Sequence, residues 1–231
     1  MNDLDCIVFC SAKCGGSTLT NTLRNHNMNC IHLHTFNCAG VTNNIDYNFN
    51  KENVMEIINN SKKKIYIIDS YRLPIERKIS SFFQNLIYHV PDYLSKSVEE
   101  IIDIFNNTYI NHIEEYHSIN LIMNEYNIEN FNNFNFEQGY CIKEYKNIVF
   151  IKLLFRDIQN WDTILSKIFE KNIIVNEVNI NRQYLYKEFK LKYKVQKTYI
   201  DNILKNDKEF KIYNTEKEQE LYIEEWLKKT F

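Results

Sequence analysis

The chain has 231 residues, of which 44% are hydrophobic and 25% are charged. This composition is that of a globular protein and excludes a disordered chain, a collagen-like repeat and a disulfide scaffold. No apolar run approaches the roughly 20 residues that span a bilayer. The formal net charge of −2 argues against a general nucleic-acid binder, which would usually be basic. At this length we expect one compact domain over residues 1–231.

The chain opens with a predicted strand, a small-residue loop and a helix. Residues 5–10 form a short apolar run, which is typical of a strand buried on both faces of a parallel sheet. The following helix begins near Ser17 or Thr18, which we expect at its N-cap. A helix N-terminus behind such a loop is suited to binding a phosphate. The candidate binding residues are Lys13, Cys14, Gly15, Gly16, Ser17 and Thr18.

Further strands alternate with helices along the chain. Apolar runs predict strands over 30–34, 65–69 and 147–155, and helical patterns cover 75–88, 93–126 and 159–170. Residues 127–140 receive no assignment. The last third is mostly helical and ends in an amphipathic run over 216–229, a possible homodimer contact. The alternation predicts an α/β protein: a three-layer, P-loop-like fold with a central parallel sheet flanked by helices.

The loop departs from the nucleotide-binding P-loop, G-x-x-x-x-G-K-[ST]. Aligned with that pattern, Cys10 falls on the first Gly and Gly16 falls on the Lys. An ATPase or kinase needs that Lys on the β/γ-phosphates. A nucleotide or nucleoside kinase is therefore disfavoured, although it stays open as an alternative.

Two motifs instead resemble sulfotransferases that use 3′-phosphoadenosine 5′-phosphosulfate (PAPS). Residues 11–19, SAKCGGSTL, are similar to the first donor-binding loop of that family. Its second signature is a strand, an Arg, a Pro two residues later and a Ser eight residues after the Arg. Arg72, Pro74 and Ser80 fit it. The resemblance implies that Arg72 and Ser80 bind the 3′-phosphate of the donor, and that the product is adenosine 3′,5′-bisphosphate.

Residues 72–85 are most similar to the capsular polysaccharide synthesis proteins, a sulfotransferase-like group. Weaker likeness extends to residues 32–34, 139–140 and 151–157. Leu73 stands where many relatives have Asp or Asn, and residues 155–157 (FRD) stand where a Glu-Asp pair is expected. The resemblance implies sulfation of a hydroxyl, expected to belong to a carbohydrate, with no metal required. A non-catalytic descendant that keeps the fold is a further alternative.

Two histidines are candidates for the base that sulfuryl transfer needs. His32 and His34 alternate along a predicted strand, so both should point to the same face. Uronosyl sulfotransferases, which this stretch resembles, carry a similar His-x-His. The resemblance implies His34 as the base, His32 as an orienting group and Lys13 at the leaving oxygen. The alternative is that one or both histidines are only packed or lie on the surface.

Cysteine usage and the N-terminus indicate a reducing compartment. None of the six cysteines forms a C-x-x-C pair, so we expect buried or free thiols and no zinc site. The first five residues are acidic and carry no signal-peptide pattern, from which we expect a cytoplasmic protein. Abundant Asn, Ile, Lys and Tyr indicate an AT-rich genome, as in some parasites, bacteria and large DNA viruses.

Overall fold

The structure is a computed structural model that describes residues 4–36, 38–42, 45–111, 118–176 and 184–228, with the side chains of 38–48 left out of the description. The chain divides into two compact units. The first comprises residues 1–72 and 116–179, and the second comprises residues 73–115 and 180–231. One domain over residues 1–231 stays a prediction.

The strands are β1 (Cys6–Phe9), β2 (Cys30–Leu33), β3 (Cys38–Thr42), β4 (Ile45–Phe49), β5 (Ile65–Tyr71), β6 (Tyr140–Tyr145) and β7 (Ile148–Leu154). The first unit is built on a five-stranded sheet with strand order β2-β1-β5-β7-β6. β1, β2, β5 and β7 are parallel, whereas β6 runs antiparallel to β7. The four predicted strands are confirmed, while β6 and the separate antiparallel pair β3–β4 were not predicted.

Helices cover both faces of this sheet. They are α1 (Gly16–Asn25), α2 (Lys51–Asn60), α6 (Asn120–Glu125) and α7 (Trp161–Phe169). On one face, Leu19 of α1 and Leu165 of α7 pack with Val8 of the sheet. On the other, Val54 of α2 and Ile122 of α6 pack with Ile7. Every residue of β1 and β7 is buried, as expected for strands covered on both faces. The fold is therefore α/β, with a mostly parallel central sheet flanked by helices.

The sheet contains a fully buried ion pair. Asp69 of β5 and Lys152 of β7 are register partners, and Nζ of Lys152 lies 2.7 Å from Oδ2 of Asp69. Both side chains have 0% exposure. The same carboxylate oxygen accepts a hydrogen bond of 3.2 Å from the backbone N–H of Ile119. Burial raises the pKa of Asp69, while the charge and hydrogen bonds of Lys152 oppose that rise. The pair joins two strands and the segment before α6.

The second unit is helical in its described part. An aromatic core holds its helices together: the rings of Phe82, Phe105 and Phe189 meet within 5.1–6.3 Å. The α-helices are α3 (Pro74–Gln84), α4 (Leu86–His89), α5 (Val98–Ile104), α8 (Tyr184–Lys192), α9 (Lys197–Asn202), α10 (Lys208–Ile212) and α11 (Glu216–Lys228).

Helix predictions were right in type and less accurate in their limits. The predicted helix over 75–88 is two helices, α3 and α4, which meet at Asn85. The predicted helix over 93–126 comprises α5, a π-helix over Phe105–Tyr109 and α6, with residues 112–117 outside the description. Within the described ranges, no helix has both the length and the apolar character needed to cross a membrane.

Candidate functional site

The site lies at the edge of the sheet where the parallel strands end. β1, β2, β5 and β7 end at residues 9, 33, 71 and 154, so the next residues meet at one edge. Open α/β sheets bind ligands at this edge. The residues that follow the strands are Cys10, His34, Arg72 and Phe155.

The loop between β1 and α1 is fixed by side chains of β5 and its end. The Ser70 hydroxyl donates a hydrogen bond to the Cys14 carbonyl. Nη1 of Arg72 donates to the Lys13 carbonyl at 2.9 Å. Lys13 and Gly15 adopt left-handed backbone conformations, with φ of 67° and 87°. The loop therefore has a defined shape, to which the first and second sequence motifs both contribute.

The predicted N-cap was wrong. Gly15 is the N-cap, α1 begins at Gly16, and no side chain caps the helix. The left-handed conformation of Gly15 explains the difference, because Gly adopts it without steric cost whereas Ser or Thr would not. Ser17 is half-buried and Thr18 is buried, both inside the first turn.

Gly16 occupies the position of the P-loop Lys and has no room for a side chain. A Cβ atom there would lie 2.1 Å from Nε2 of His32 and 2.7 Å from Sγ of Cys10. The imidazole of His32 therefore fills the space where the kinase Lys would begin. His32 is 8% exposed, and burial together with the charges of His34 and Arg24 lowers its pKa to about 3. Its ring is neutral at physiological pH.

His34 lies just beyond β2, and its side chain is exposed. The His32 and His34 rings meet edge to face, with centroids 4.4 Å apart, so both lie on the same face as predicted. Nδ1 of His34 lies 2.9 Å from the Cys10 carbonyl oxygen. Because a carbonyl only accepts hydrogen bonds, Nδ1 carries the hydrogen. In the neutral ring this leaves the lone pair on Nε2, where a base needs it.

Two cationic residues, Lys13 and Arg72, lie together at the loop. Burial and the positive charge of Arg72 both lower the pKa of the half-buried Lys13 ammonium. Among the residues that the structure describes, neither cation has a carboxylate partner. The guanidinium of Arg72 lies over the Phe155 ring, 4.5 Å from its centroid. Paired cations without a counter-charge are a suitable receptor for a polyvalent anion.

Sequence reasoning missed Phe155. The sequence placed Phe155 at the end of a predicted strand and in a segment of weak family likeness that departs from the expected Glu-Asp pair, and no spacing links it to Arg72. The contact arises because β5 pairs with β7 and Tyr71 is the register partner of Leu154. Residues one position beyond these partners therefore meet at the same edge.

The remaining predicted residues have defined places. Ser80 lies on α3 in the second unit and is half-buried, and its role in phosphate binding stays a prediction. Five cysteines are described as free thiols, and four of them are buried, in agreement with the predicted buried thiols. Burial raises the pKa of Cys10 well above its usual range, which disfavours a thiolate. In the described part of the chain, no three His, Cys, Asp or Glu side chains form a metal-binding group.

Comparison of the chain with protein-family models, with curated proteins and with solved structures finds no match. The chemistry must therefore be inferred from the geometry of the site. The edge combines two cations at a loop before a helix with an imidazole whose Nε2 is free to accept a proton. Such an arrangement can bind a phosphate or sulfate ester and take a proton from a neutral hydroxyl.

Proposed function

We propose that this protein is a PAPS-dependent sulfotransferase that sulfates a hydroxyl group, expected to be that of a carbohydrate. The proposal rests on one observation above all: Arg72 Nη1 donates to the Lys13 carbonyl. This hydrogen bond joins two motifs that lie 59 residues apart in the sequence. The resemblance assigned both motifs to the same donor, and their juxtaposition supports that assignment.

Each residue has a stated role in the proposed transfer. The loop from Lys13 to Thr18 binds the 5′-phosphosulfate, and Arg72 binds the 3′-phosphate. Nε2 of His34 takes the hydroxyl proton as the acceptor oxygen bonds to sulfur. The bond from sulfur to the bridging oxygen breaks, and Lys13 stabilises the charge on the leaving phosphate. The neutral His32 ring orients His34 and packs against Gly16.

The structure weighs against the kinase alternative for a steric reason. Phosphoryl transfer in P-loop enzymes uses a Lys at the position of Gly16. A Cβ atom there would contact His32 and Cys10 at distances that real Cβ atoms essentially never show. A kinase would have to supply that charge from elsewhere. Thermal shift with ATP and with PAPS, each with and without Mg²⁺, separates the two readings: stabilisation by PAPS without metal supports the sulfotransferase.

Selective recognition of the 3′-phosphate tests the donor site. Arg72→Ala and Ser80→Ala should weaken binding of adenosine 3′,5′-bisphosphate much more than binding of AMP. For Arg72→Ala the expected loss is about 10- to 150-fold, the worth of a charge-assisted contact of roughly 1.5–3 kcal/mol. Lys64→Ala, which removes an exposed positive charge just before β5, is the matched control. Equal losses for both ligands would contradict the assignment of the second motif.

The rate of sulfuryl transfer tests the role of His34 as the base. His34→Asn can still donate a hydrogen bond but cannot take the proton, so donor binding should persist while sulfuryl transfer falls roughly 10²–10⁴-fold. A panel of saccharide acceptors with radiolabelled PAPS supplies the assay. His89→Asn, at an exposed histidine of α4, is the control. An unchanged rate in His34→Asn would exclude the proposed base, and donor binding without transfer to any acceptor would favour the non-catalytic alternative.

A further inference from the structure

Phe155 contacts both cation-bearing parts of the candidate donor site. Its ring lies under the guanidinium of Arg72, 4.5 Å away at the centroid, and it also contacts Gly15 of the loop. We propose that Phe155 is a positioning residue, which holds the Arg72 guanidinium in the orientation that binds the anion. This inference rests on the proposed function, because it assigns Phe155 a part in binding the 3′-phosphate through Arg72.

The contact with the loop is close. A Cβ atom on Gly15 would lie 2.8 Å from Cδ2 of Phe155 and 2.9 Å from Cη2 of Trp161. The two aromatic rings therefore pack directly against the Gly15 backbone, which is in the left-handed region. One face of the loop is closed by these rings, and the Phe155 ring extends from there to Arg72.

Phe155 itself has a rigid support. Trp161 is fully buried, and its Nε1 donates a hydrogen bond to the Leu154 carbonyl at 3.0 Å. The Phe155 and Trp161 rings meet edge to face, with centroids 6.2 Å apart and an interplanar angle of 84°. Edge-to-face contact is a favourable arrangement for aromatic pairs. The Phe155 ring is thus fixed to the end of β7 and the start of α7.

Two constraints then define the position of Arg72. Nη1 donates a hydrogen bond to the Lys13 carbonyl, and Cζ of the guanidinium lies over the Phe155 ring. An arginine side chain loses much rotamer freedom when it is ordered. A side chain that is already ordered loses less on binding, and the ligand gains affinity. Arg72 carries further N–H donors besides the one that binds the Lys13 carbonyl, and within the described ranges these can bind a phosphate.

The affinity for adenosine 3′,5′-bisphosphate should follow the aromatic character of residue 155. Loss of a cation–π contact predicts a drop of about 3- to 30-fold in Phe155→Leu. Phe155→Tyr retains a ring and should bind within about twofold of the native protein. In an Arg72→Ala background, Phe155→Leu should cause no further loss, since its effect acts through Arg72. Phe169→Leu is the control, because Phe169 is a half-buried aromatic residue that contacts Tyr66 instead.

A second measurement reads the position of Arg72 without any ligand. The ring should shift the Arg72 Nε–Hε resonance in the NMR spectrum of the free protein, and Phe155→Leu should abolish that shift while Phe169→Leu preserves it. Equal affinity losses in Phe155→Leu and Phe169→Leu, or an unmoved Arg72 resonance, would overturn the inference. If the native protein binds AMP as tightly as the bisphosphate, the proposed function fails instead, and the resonance still decides whether Phe155 positions Arg72.

Discussion

Asp69 in β5 and Arg72 just after it lie three positions apart, and each has a second charged residue beside it. The two resulting pairs differ in net charge and in burial. Asp69 pairs with Lys152 at 2.7 Å, and both side chains are fully buried. Arg72 lies beside Lys13, and both carry positive charge and are only half-buried. The first pair is neutralised within the sheet, whereas the second has no carboxylate partner in the described ranges.

The difference separates a structural use of charge from a binding use. A buried charge without a partner costs several kcal/mol, so the interior of the sheet accepts Asp69 only with Lys152 beside it. At the edge, solvent screens the repulsion between Lys13 and Arg72, and the two can remain adjacent. Proteins place such unpaired cations where an anion binds. Variants of the two pairs can therefore separate the charges that the fold needs from those that the ligand needs.

The largest effect is expected at the buried pair. Lys152→Met leaves the Asp69 carboxylate buried without its partner, which should lower the free energy of unfolding by about 3–5 kcal/mol. Asp69→Leu should destabilise the protein similarly, because it removes the carboxylate beside the buried Lys152 ammonium. The double variant removes both charges and should recover most of the loss. Urea unfolding of the four proteins measures the cycle, and two losses that simply add would show that the pair is not electrostatically coupled.

The next effect concerns His32, a titratable group on the same edge that is buried and neutral. Its pKa of about 3 lies below the usual histidine value of 6.5, because burial disfavours the charged ring. The unfolded chain therefore binds more protons than the folded protein between pH 6.5 and 3. The sign of this difference means that stability falls as pH falls, by about 1.4 kcal/mol per pH unit in that range from this residue.

NMR checks this expectation directly. The ring resonances of His32 should stay constant between pH 8 and 5, unlike those of a histidine that titrates normally. Titration of His32 near pH 6.5 would mean that its ring is not enclosed between Gly16 and His34. His32 would then be a solvent-accessible titratable group, like Lys13 and Arg72, and not a buried one.

Substitution of Lys13 should affect stability little and function strongly, the reverse of what is expected for Lys152. Lys13→Met removes one of two like charges, so the free energy of unfolding should change by no more than about 0.5 kcal/mol. The turnover of bound PAPS should fall more than donor affinity, because Lys13 acts on the charge that develops on the leaving oxygen. A collapse of affinity with unchanged turnover of bound donor would make Lys13 a residue that only positions the donor. A large loss of stability would show that the fold needs its charge.

Local patterns in the sequence were enough to predict some of these structural elements. Continuous apolar runs identified β1 and β7, and the paired glycines marked the loop. β6 was missed because its apolar and polar residues do not alternate as expected for a strand with one covered face. The apolar Ile142 is 39% exposed, whereas the charged Lys143 is half-buried and donates hydrogen bonds to the Glu129 and Asn130 carbonyls. A polar residue on the covered side of an edge strand depends on its tertiary partners.

For the site, too, the sequence identified only the residues that belong to local motifs. Lys13, Arg72 and His34 could be singled out from two motifs and a His-x-His pattern. The Asp69–Lys152 pair, the contact between Phe155 and Arg72, and the collision that keeps position 16 a glycine could not. Each depends on strand order and register, which bring together residues that lie between 16 and 83 positions apart. No short-range pattern in the chain carries that information.

The smallest and most diagnostic effect is the pH dependence of donor binding. In the free protein, burial and Arg72 lower the pKa of Lys13. A bound anion stabilises the ammonium and raises that pKa, so binding is tightest when Lys13 is protonated. Affinity for adenosine 3′,5′-bisphosphate should therefore decline as pH rises through the free-state pKa, by at most about tenfold per pH unit. Lys13→Arg keeps its charge at every accessible pH and should lose this decline.

Isothermal titration from pH 7 to 10, in buffers of different ionisation enthalpy, measures both the affinity and the protons taken up. An identical decline in the native protein and in Lys13→Arg would mean that another group titrates, and the two cations at the edge would not share the anion.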